Sequence, residues 1–428
     1  MDKQKLDNQV IEENNETEVK KKRVKRKDWT PEYRKHRRKK SWLTFGSIMG
    51  SIVLIIAIIA IIGVAGTGAN IKKINAMEKV GASLVPATDV DTGNTTFYVD
   101  NAEDFKVLQL TDIHLGGGAF SLQKDSWAID AVKTLVEENK PDLVIVTGDI
   151  AYPVPFQSGT FNNRREARVF ATLMEQLEVY WAPVFGNHDT EMYSSYDRES
   201  IAEFYTDAQW KYCLFEEGDK DVDGFGNYVI NVEEKDTNRI IHSFYLLDSH
   251  SYTDGDYFGA AWKYDNIHQN QVDWYKNEVA RINKINIDNG FESVKSTMYF
   301  HIPLQEYLEA WTEYVDNDFQ DTDDVKYNFG VAGEEGKVVY CGVKEDEMFD
   351  SIIEMGSTVG VFCGHDHLNN FSITYKGIKL TYGMSIDYLA YAGIQHKTEQ
   401  RGGTVITVLN DSGNVEIAQS PYGVSIDK

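Results

Sequence analysis

The sequence predicts an α/β fold preceded by one membrane-spanning helix. Three observations carry this expectation. Residues 42–65 read "WLTFGSIMGSIVLIIAIIAIIGVA", 24 residues without a charge. From Phe105 onward, apolar runs of strand length alternate with segments of helical spacing. Those runs lack a polar residue at every second position, the mark of strands buried on both faces.

The membrane segment comes first in the chain. At about 1.5 Å per residue it spans roughly 36 Å, more than the ~30 Å hydrocarbon core. Residues 1–40 hold 15 Lys/Arg against 8 Asp/Glu, and the remainder holds 28 against 59. "KKKRVKRK" and "RKHRRKK" precede the apolar run, and only Lys72, Lys73 and Lys79 follow nearby. The positive-inside bias therefore puts the N-terminus in the cytoplasm and everything after Gly66 outside, in a single-pass plasma-membrane protein. A cleaved signal peptide is the alternative, with "TGA" ending at Ala69 as its cleavage site. Its apolar region would normally be shorter, ~7–15 residues. The basic run suits the cytoplasmic side of the bilayer and its anionic lipid. The acidic body repels phosphates of nucleic acid, so no nucleic-acid partner is expected. Cys213, Cys341 and Cys363 form no C-x-x-C pair, which argues against a disulfide framework and a thiolate zinc site.

Four segments follow. Residues 1–40 are a basic, polar, disordered cytoplasmic segment. Residues 41–66 are the signal-anchor helix. Residues 67–104 are an extracellular stalk and domain entry, with "ATDVDTGNTT" as a turn-rich connection. Residues 105–428 are the main folded domain.

Within that domain the elements read in order. "FKVLQLTDIH" is a strand, "SWAIDAVKTLVEENK" a helix and "PDLVIVTGDI" a strand. "REARVFATLMEQLE" is a helix and "YWAPVFGNHD" a strand. Further strands are "SFYLLDSH", "STMYFHIP", "TVGVFCGHDH", "GIKLTYG" and "GTVITVL", with a helix in "NQVDWYKNEVARI". The acidic "DNDFQDTDD" is a solvated loop, since it lacks the ligand spacing and closing Glu of a calcium loop.

In α/β sheets the working residues collect beyond the carboxyl ends of strands. Five strand ends here carry metal-type ligands: Asp112 and His114; Asp149 after Gly148; Asn187, His188 and Asp189 after Gly186; His301; and His365, Asp366 and His367 after Gly364. Each alone has a plain structural explanation, as a turn, a helix cap or a core histidine. Together they are harder to dismiss, because five of the ten histidines stand at these ends. Such oxygen and nitrogen donors suit a pair of Fe, Mn or Zn ions, divalent or trivalent, with one carboxylate shared between them.

Asp-x-His, Gly-Asp, Gly-Asn-His-Asp, His and Gly-His-x-His, in this order, resemble the motif set of the calcineurin-like metallophosphoesterase superfamily. "LTDIHLG", "PDLVIVTGDI", "DGFGNY", "YFHIPLQEY", "GHDHLNNF" and "LTYG" are similar to the branch holding plant purple-acid-phosphatase-like proteins and a yeast phosphatase. The likeness covers roughly residues 105–410. It implies a four-layer αββα sandwich with the site at its strand ends. It also implies roles. Asp112, His114 and His367 hold one metal, Asn187, His301 and His365 the other, and Asp149 bridges. His188 contacts the phosphate with Asp189 as its orienting partner, and Asp366 supports the ligands beside it. Tyr152 stands where the purple enzymes bind ferric iron through tyrosine. Those enzymes usually have glycine in place of His114, so here His114 is expected to fill the tyrosine's place.

The reaction so implied is hydrolysis of a phosphate ester, by attack of a hydroxide held between the two metals while His188 offsets charge or protonates the leaving oxygen. The partners are a small phosphate ester or a phosphorylated surface substrate, and the lipid bilayer. The rival is a surface protein on the same fold that binds metal or phosphate without turnover. An adhesin using the acidic surface has only charge in its favour. Tyr193, Tyr196, Trp210, Tyr388 and Tyr391 are candidates for a pocket wall or for core. Arg164, Arg165 and Arg168 are expected on a solvated helix face.

Overall fold

The computed structural model describes residues 30–253, 255, 256 and 259–424. Most of the expected disordered segment, residues 1–29, lies outside the described residues. The chain divides into two units, Met1–Ile58 and Ile59–Lys428.

In the first unit the described residues are helical and exposed. Helix Pro31–Ile74 starts well before the apolar run, so the basic residues 34–40, expected in an irregular segment, form its first turns. An apolar helix of this length can cross a membrane.

The second unit contains two sheets. One has five strands in the spatial order Val415–Pro421, Gly402–Val408, Phe105–Leu110, Leu143–Thr147 and Trp181–Val184. Its last three run parallel. The other has nine: Ala87–Thr88, Thr95–Val99, Tyr228–Glu234, Arg239–Leu246, Lys295–Tyr299, Thr358–Cys363, Ile378–Tyr382, Ser372–Tyr375 and Val325–Phe329. Lys295–Tyr299 and Thr358–Cys363 are parallel neighbours at its centre.

Side chains alternate across a strand, so adjacent residues serve different layers. Phe244, Tyr299 and Phe362 join the core shared with the five-stranded sheet and its helices Leu122–Asn139 and Asn163–Leu177. Their neighbours Tyr245, Met298 and Val361 pack on the other side with helices Gln269–Asp288, Gln305–Asp316 and Met348–Met355. Two apolar faces per strand explain the unalternated runs. They also give the four-layer αββα order.

Residues 67–104 are not a free stalk. Thr67 Oγ1 donates to the Gly117 carbonyl at 3.0 Å, and Asn70 Nδ2 to that of Leu122 at 3.2 Å. Thr95–Val99 pairs with Tyr228–Glu234 inside the nine-stranded sheet. The "DNDFQDTDD" segment is an exposed loop.

Candidate metal centre

The five strands that carry the expected ligands end on one side, and the chain turns sharply as it leaves them. Asp112, His114, Asp149 and His365 have φ of 49°, 49°, 53° and 79°. This left-handed region is unfavourable for residues with a Cβ, so it persists only where the surroundings impose it. Here the loops brace each other. The backbone N–H groups of Asp112 and His114 donate to the carbonyls of Gly148 and Asp149 at 3.2 and 3.0 Å. A Cβ on Gly148 would lie 2.6 Å from His301 Nδ1, and one on Gly186 would lie 2.1 Å from Asp149 Oδ1. Only glycine lets these turns approach so closely.

The structure gathers the predicted ligands. Asp112, His114, Asp149 and His367 are buried and offer ligand atoms within 4.8 Å of one another. Asp149 Oδ2 is 3.2 Å from His114 Nε2 and 3.1 Å from His301 Nε2. Its other oxygen accepts the His188 backbone N–H at 2.8 Å, which fixes the carboxylate's orientation. His301 Nε2 is also 3.1 Å from Asn187 Oδ1 and 3.3 Å from His365 Nδ1. So one carboxylate oxygen stands between two groups of donors. Each of the two groups combines imidazole nitrogens with carboxylate or amide oxygen, a set suited to Fe, Mn or Zn. Burial alone would raise the Asp149 carboxyl, but His301 and His188 hold it well below the usual carboxylate range.

Around these donors the sequence-level roles need one correction. His188 Nδ1 pairs with Glu191 Oε1 at 2.7 Å, not with Asp189. The Asp189 carboxylate is taken up by three backbone N–H groups, of Asp149 at 3.0 Å, Ala151 at 2.8 Å and Gly186 at 2.8 Å. It ties two ligand loops together. Asp366 points away, accepting from the Tyr382 hydroxyl at 2.5 Å and the Tyr340 N–H at 3.1 Å, and burial pushes its carboxyl up to about 8. The Tyr152 hydroxyl donates to Gln157 Oε1 at 3.0 Å, and its ring sits 4.8 Å from those of both His114 and His188.

Asp387 was not among the expected residues. It is fully buried, and its carboxylate oxygens lie 3.3 Å from His114 Nδ1 and 3.0 Å from His367 Nδ1. Both rings thus present Nε2 to the site and Nδ1 to one acid. Burial opposes the Asp387 charge, yet His114 and His367 hold its carboxyl well below the ordinary range. Its signal was faint: an acid in "MSIDYLAYA", past the Ile378–Tyr382 strand but inside a loop. Glu191 had a clearer one, an acid three residues after His188.

The donors open into a cleft of about 590 Å³. Tyr193 and Tyr391 line it, as do Tyr252, Tyr264 and Trp262, which the sequence had not singled out. Tyr391 stacks on His367, with ring centroids 4.5 Å apart. Tyr388 belongs to the core, and the half-buried Tyr196 and Trp210 pack against it. Of the three arginines, Arg165 donates to the Gly117 carbonyl at 3.1 Å, Arg164 lies over Tyr196 and Phe204, and Arg168 is exposed. None lines the cleft. The three cysteines are unpaired.

The profile of the calcineurin-like phosphoesterase family matches residues 105–369. A probable inactive purple acid phosphatase 14 of Arabidopsis thaliana is 27% identical over 313 residues, 68% of this chain and 72% of that one. A second Arabidopsis protein, probable inactive purple acid phosphatase 29, is 27% identical over 72% of this chain and 77% of its own. Phosphatase DCR2 of Saccharomyces cerevisiae is 28% identical over 70% of this chain and 51% of its own. Among solved structures, a dimetal phosphatase from Danio rerio aligns with a TM-score of 0.45 at 12% identity, over 76% of this chain and all of that one.

Proposed function

The chain belongs to the calcineurin-like phosphoesterase family, and from that premise we propose that it is a membrane-anchored phosphoesterase with its catalytic domain outside the cytoplasm. The observation that carries this reading is the position of Asp149 Oδ2, 3.2 and 3.1 Å from histidines of two different donor groups. Asp112, His114 and His367 would hold one ion, Asn187, His301 and His365 the other, and Asp149 both. Ions bound there supply an activated water and offset charge on the phosphoryl oxygens.

The remaining roles belong to the protein. His188 lines the cleft, and Glu191 occupies its Nδ1. That leaves Nε2 for the substrate, to bind a phosphoryl oxygen or give a proton to the leaving oxygen. The pairing favours the charged ring: burial opposes it, but Asp149 and Glu191 raise His188 above its ordinary value. The aromatic wall covers the organic part of the ester and limits water in the cleft.

The two Arabidopsis relatives are named probable inactive, which favours a second reading: binding without turnover. The full donor set favours catalysis. Purified full-length protein, loaded with Mn, Fe or Zn, is to be screened against aryl phosphates, alkyl monoesters and diesters. Metal-dependent release of phosphate or alcohol is the expected outcome. Two bound ions without turnover of any ester would leave the binding reading standing.

The anchor and its orientation rest on the apolar helix and its basic flank. Cleavage after Ala69 would cut a helix whose Thr67, Asn70 and Lys73 all bond to the folded unit, so the helix is read as retained. Protease added to intact cells should remove the catalytic domain. Protection until lysis would reverse the orientation.

A further inference from the structure

The loop that receives the end of the long helix lies beside exposed aromatic residues. Positions 63 and 66 are glycines that fit against loop 116–122: a Cβ on Gly63 would lie 3.2 Å from the Ala119 nitrogen, and one on Gly66 would overlap Leu122. The helix is therefore already in contact with folded protein at Gly63. Only residues 42–62 of the apolar run remain to cross the bilayer, 21 residues. At about 1.5 Å each they cover about 32 Å, scarcely more than the ~30 Å hydrocarbon core. The apolar run reaches loop 116–122 without a spacer, and on the anchored reading that loop lies at the bilayer surface.

That loop exposes Phe120, and the adjoining segment exposes Phe156 and Phe161, at 53%, 92% and 50%. The segments are locked together: the Phe120 N–H donates to the Ser158 carbonyl at 3.0 Å, and its ring lies against Gly159. Single exposed apolar residues are ordinary, but a cluster beside an apolar helix marks an interaction surface. Phe, like Trp and Leu, is also among the apolar side chains that interfacial segments bury at the boundary of the hydrocarbon layer. The same segment reaches the cleft. Val154 lines it, Gln157 holds the Tyr152 hydroxyl, and Phe161 contacts the cleft residue Tyr193, with ring centroids 6.5 Å apart.

We infer that Phe120, Phe156 and Phe161 seat in the interfacial layer of the bilayer that holds the helix, and that the cleft beside them takes a phosphate ester presented by that membrane, a lipid phosphate. The inference rests on the anchored-phosphoesterase reading. In the reaction water's oxygen bonds to phosphorus, the ester P–O bond breaks, and the lipid oxygen takes the proton. Water is the only co-reactant.

The test uses the full chain reconstituted in phosphatidylcholine vesicles carrying phosphatidic acid. Docking is read without activity. A fluorophore on Phe156→Cys should be quenched by spin-labelled lipid, and one on Asp411→Cys, in an exposed loop, should not; wild type labelled in parallel corrects for the native thiols. Equal, weak quenching at both positions would overturn the docking. Substrate choice is read from the double variant Phe120→Ser, Phe156→Ser. It should lose roughly tenfold or more on vesicle phosphatidic acid, as two exposed aromatic anchors are removed, and keep its rate on a soluble aryl phosphate. An equal rate on vesicles for variant and wild type would overturn the inference. So would wild-type turnover of soluble esters with none of phosphatidic acid. If metal-loaded wild type turns over neither substrate, the phosphoesterase reading falls, while the quenching still decides the docking.

Discussion

The two halves of the metal centre use similar donors and brace them differently. In the first half, His114 and His367 both turn Nδ1 onto Asp387, at 3.3 and 3.0 Å. In the second, His301 Nδ1 lies 2.8 Å from the Thr147 carbonyl oxygen. A carboxylate behind an imidazole fixes its tautomer and raises its basicity, and a neutral carbonyl does so less. The first half is thus preorganised by charge and the second by backbone. On the proposed assignment, the first half would hold its ion more tightly and the second would exchange more readily.

The largest effect tests what the halves share. Asp149→Ala should remove both ions and all turnover together, because two cations without their common carboxylate repel each other. His188 belongs to neither half. His188→Ala should keep close to two ions per chain and lose ~10²–10⁴-fold in rate, the range of general acid–base participation. The loss should be smaller for an aryl ester, whose leaving group scarcely needs a proton, if His188 acts as the acid. Metal analysis beside rates decides between these roles. Should His188→Ala lose metal as Asp149→Ala does, the separation of holding from using is wrong.

The next effect separates the halves. Asp387→Asn keeps the shape and removes the charge behind His114 and His367. It should weaken binding of one ion ~10–100-fold, the usual cost of losing a supporting carboxylate, and leave the other nearly unchanged. Titration of the metal-free variant, followed calorimetrically, should show one weakened site. Two sites weakened equally would mean that the halves are not independently braced.

The site was more legible than the scaffold that holds it. The ligand strands announced themselves because both faces are buried, and glycine and histidine at their ends broke the apolar pattern. Tyr228–Glu234 is buried throughout and was missed, since Asn231, Glu233 and Glu234 read as surface residues. Partners on the neighbouring hairpin strand satisfy two of them: Asn231 accepts from Ser243 Oγ at 2.8 Å, and Glu234 pairs with Arg239. Thr95–Val99 looked like a connection because, apart from the two-residue strand Ala87–Thr88, it enters a sheet whose strands come more than a hundred residues later. Asp387 was hidden for the same reason: its partners, His114 and His367, are adjacent only in space. Asp189 shows the converse error. Adjacency to His188 suggested a side-chain pair, but a turn sends consecutive side chains in different directions, and backbone N–H groups claimed the carboxylate.

The smallest expected effect concerns Tyr152, which borders the first half without joining it. Its hydroxyl is committed to Gln157 at 3.0 Å, and burial together with the charges of Asp387 and Asp149 pushes the phenol well above its usual range. A tyrosinate ligand would need that proton removed. His114 already supplies the donor on this side, with Nε2 3.2 Å from the shared Asp149 oxygen. Tyr152→Phe should therefore keep both ions and change the rate little, since the ring that packs between His114 and His188 remains. The protein loaded with iron should show no visible tyrosinate band before or after the substitution. A band that vanishes in Tyr152→Phe would make the tyrosine a ligand of the first half. It would also remove the basis for comparing the halves, because the first would then be held by a phenolate as well as by Asp387.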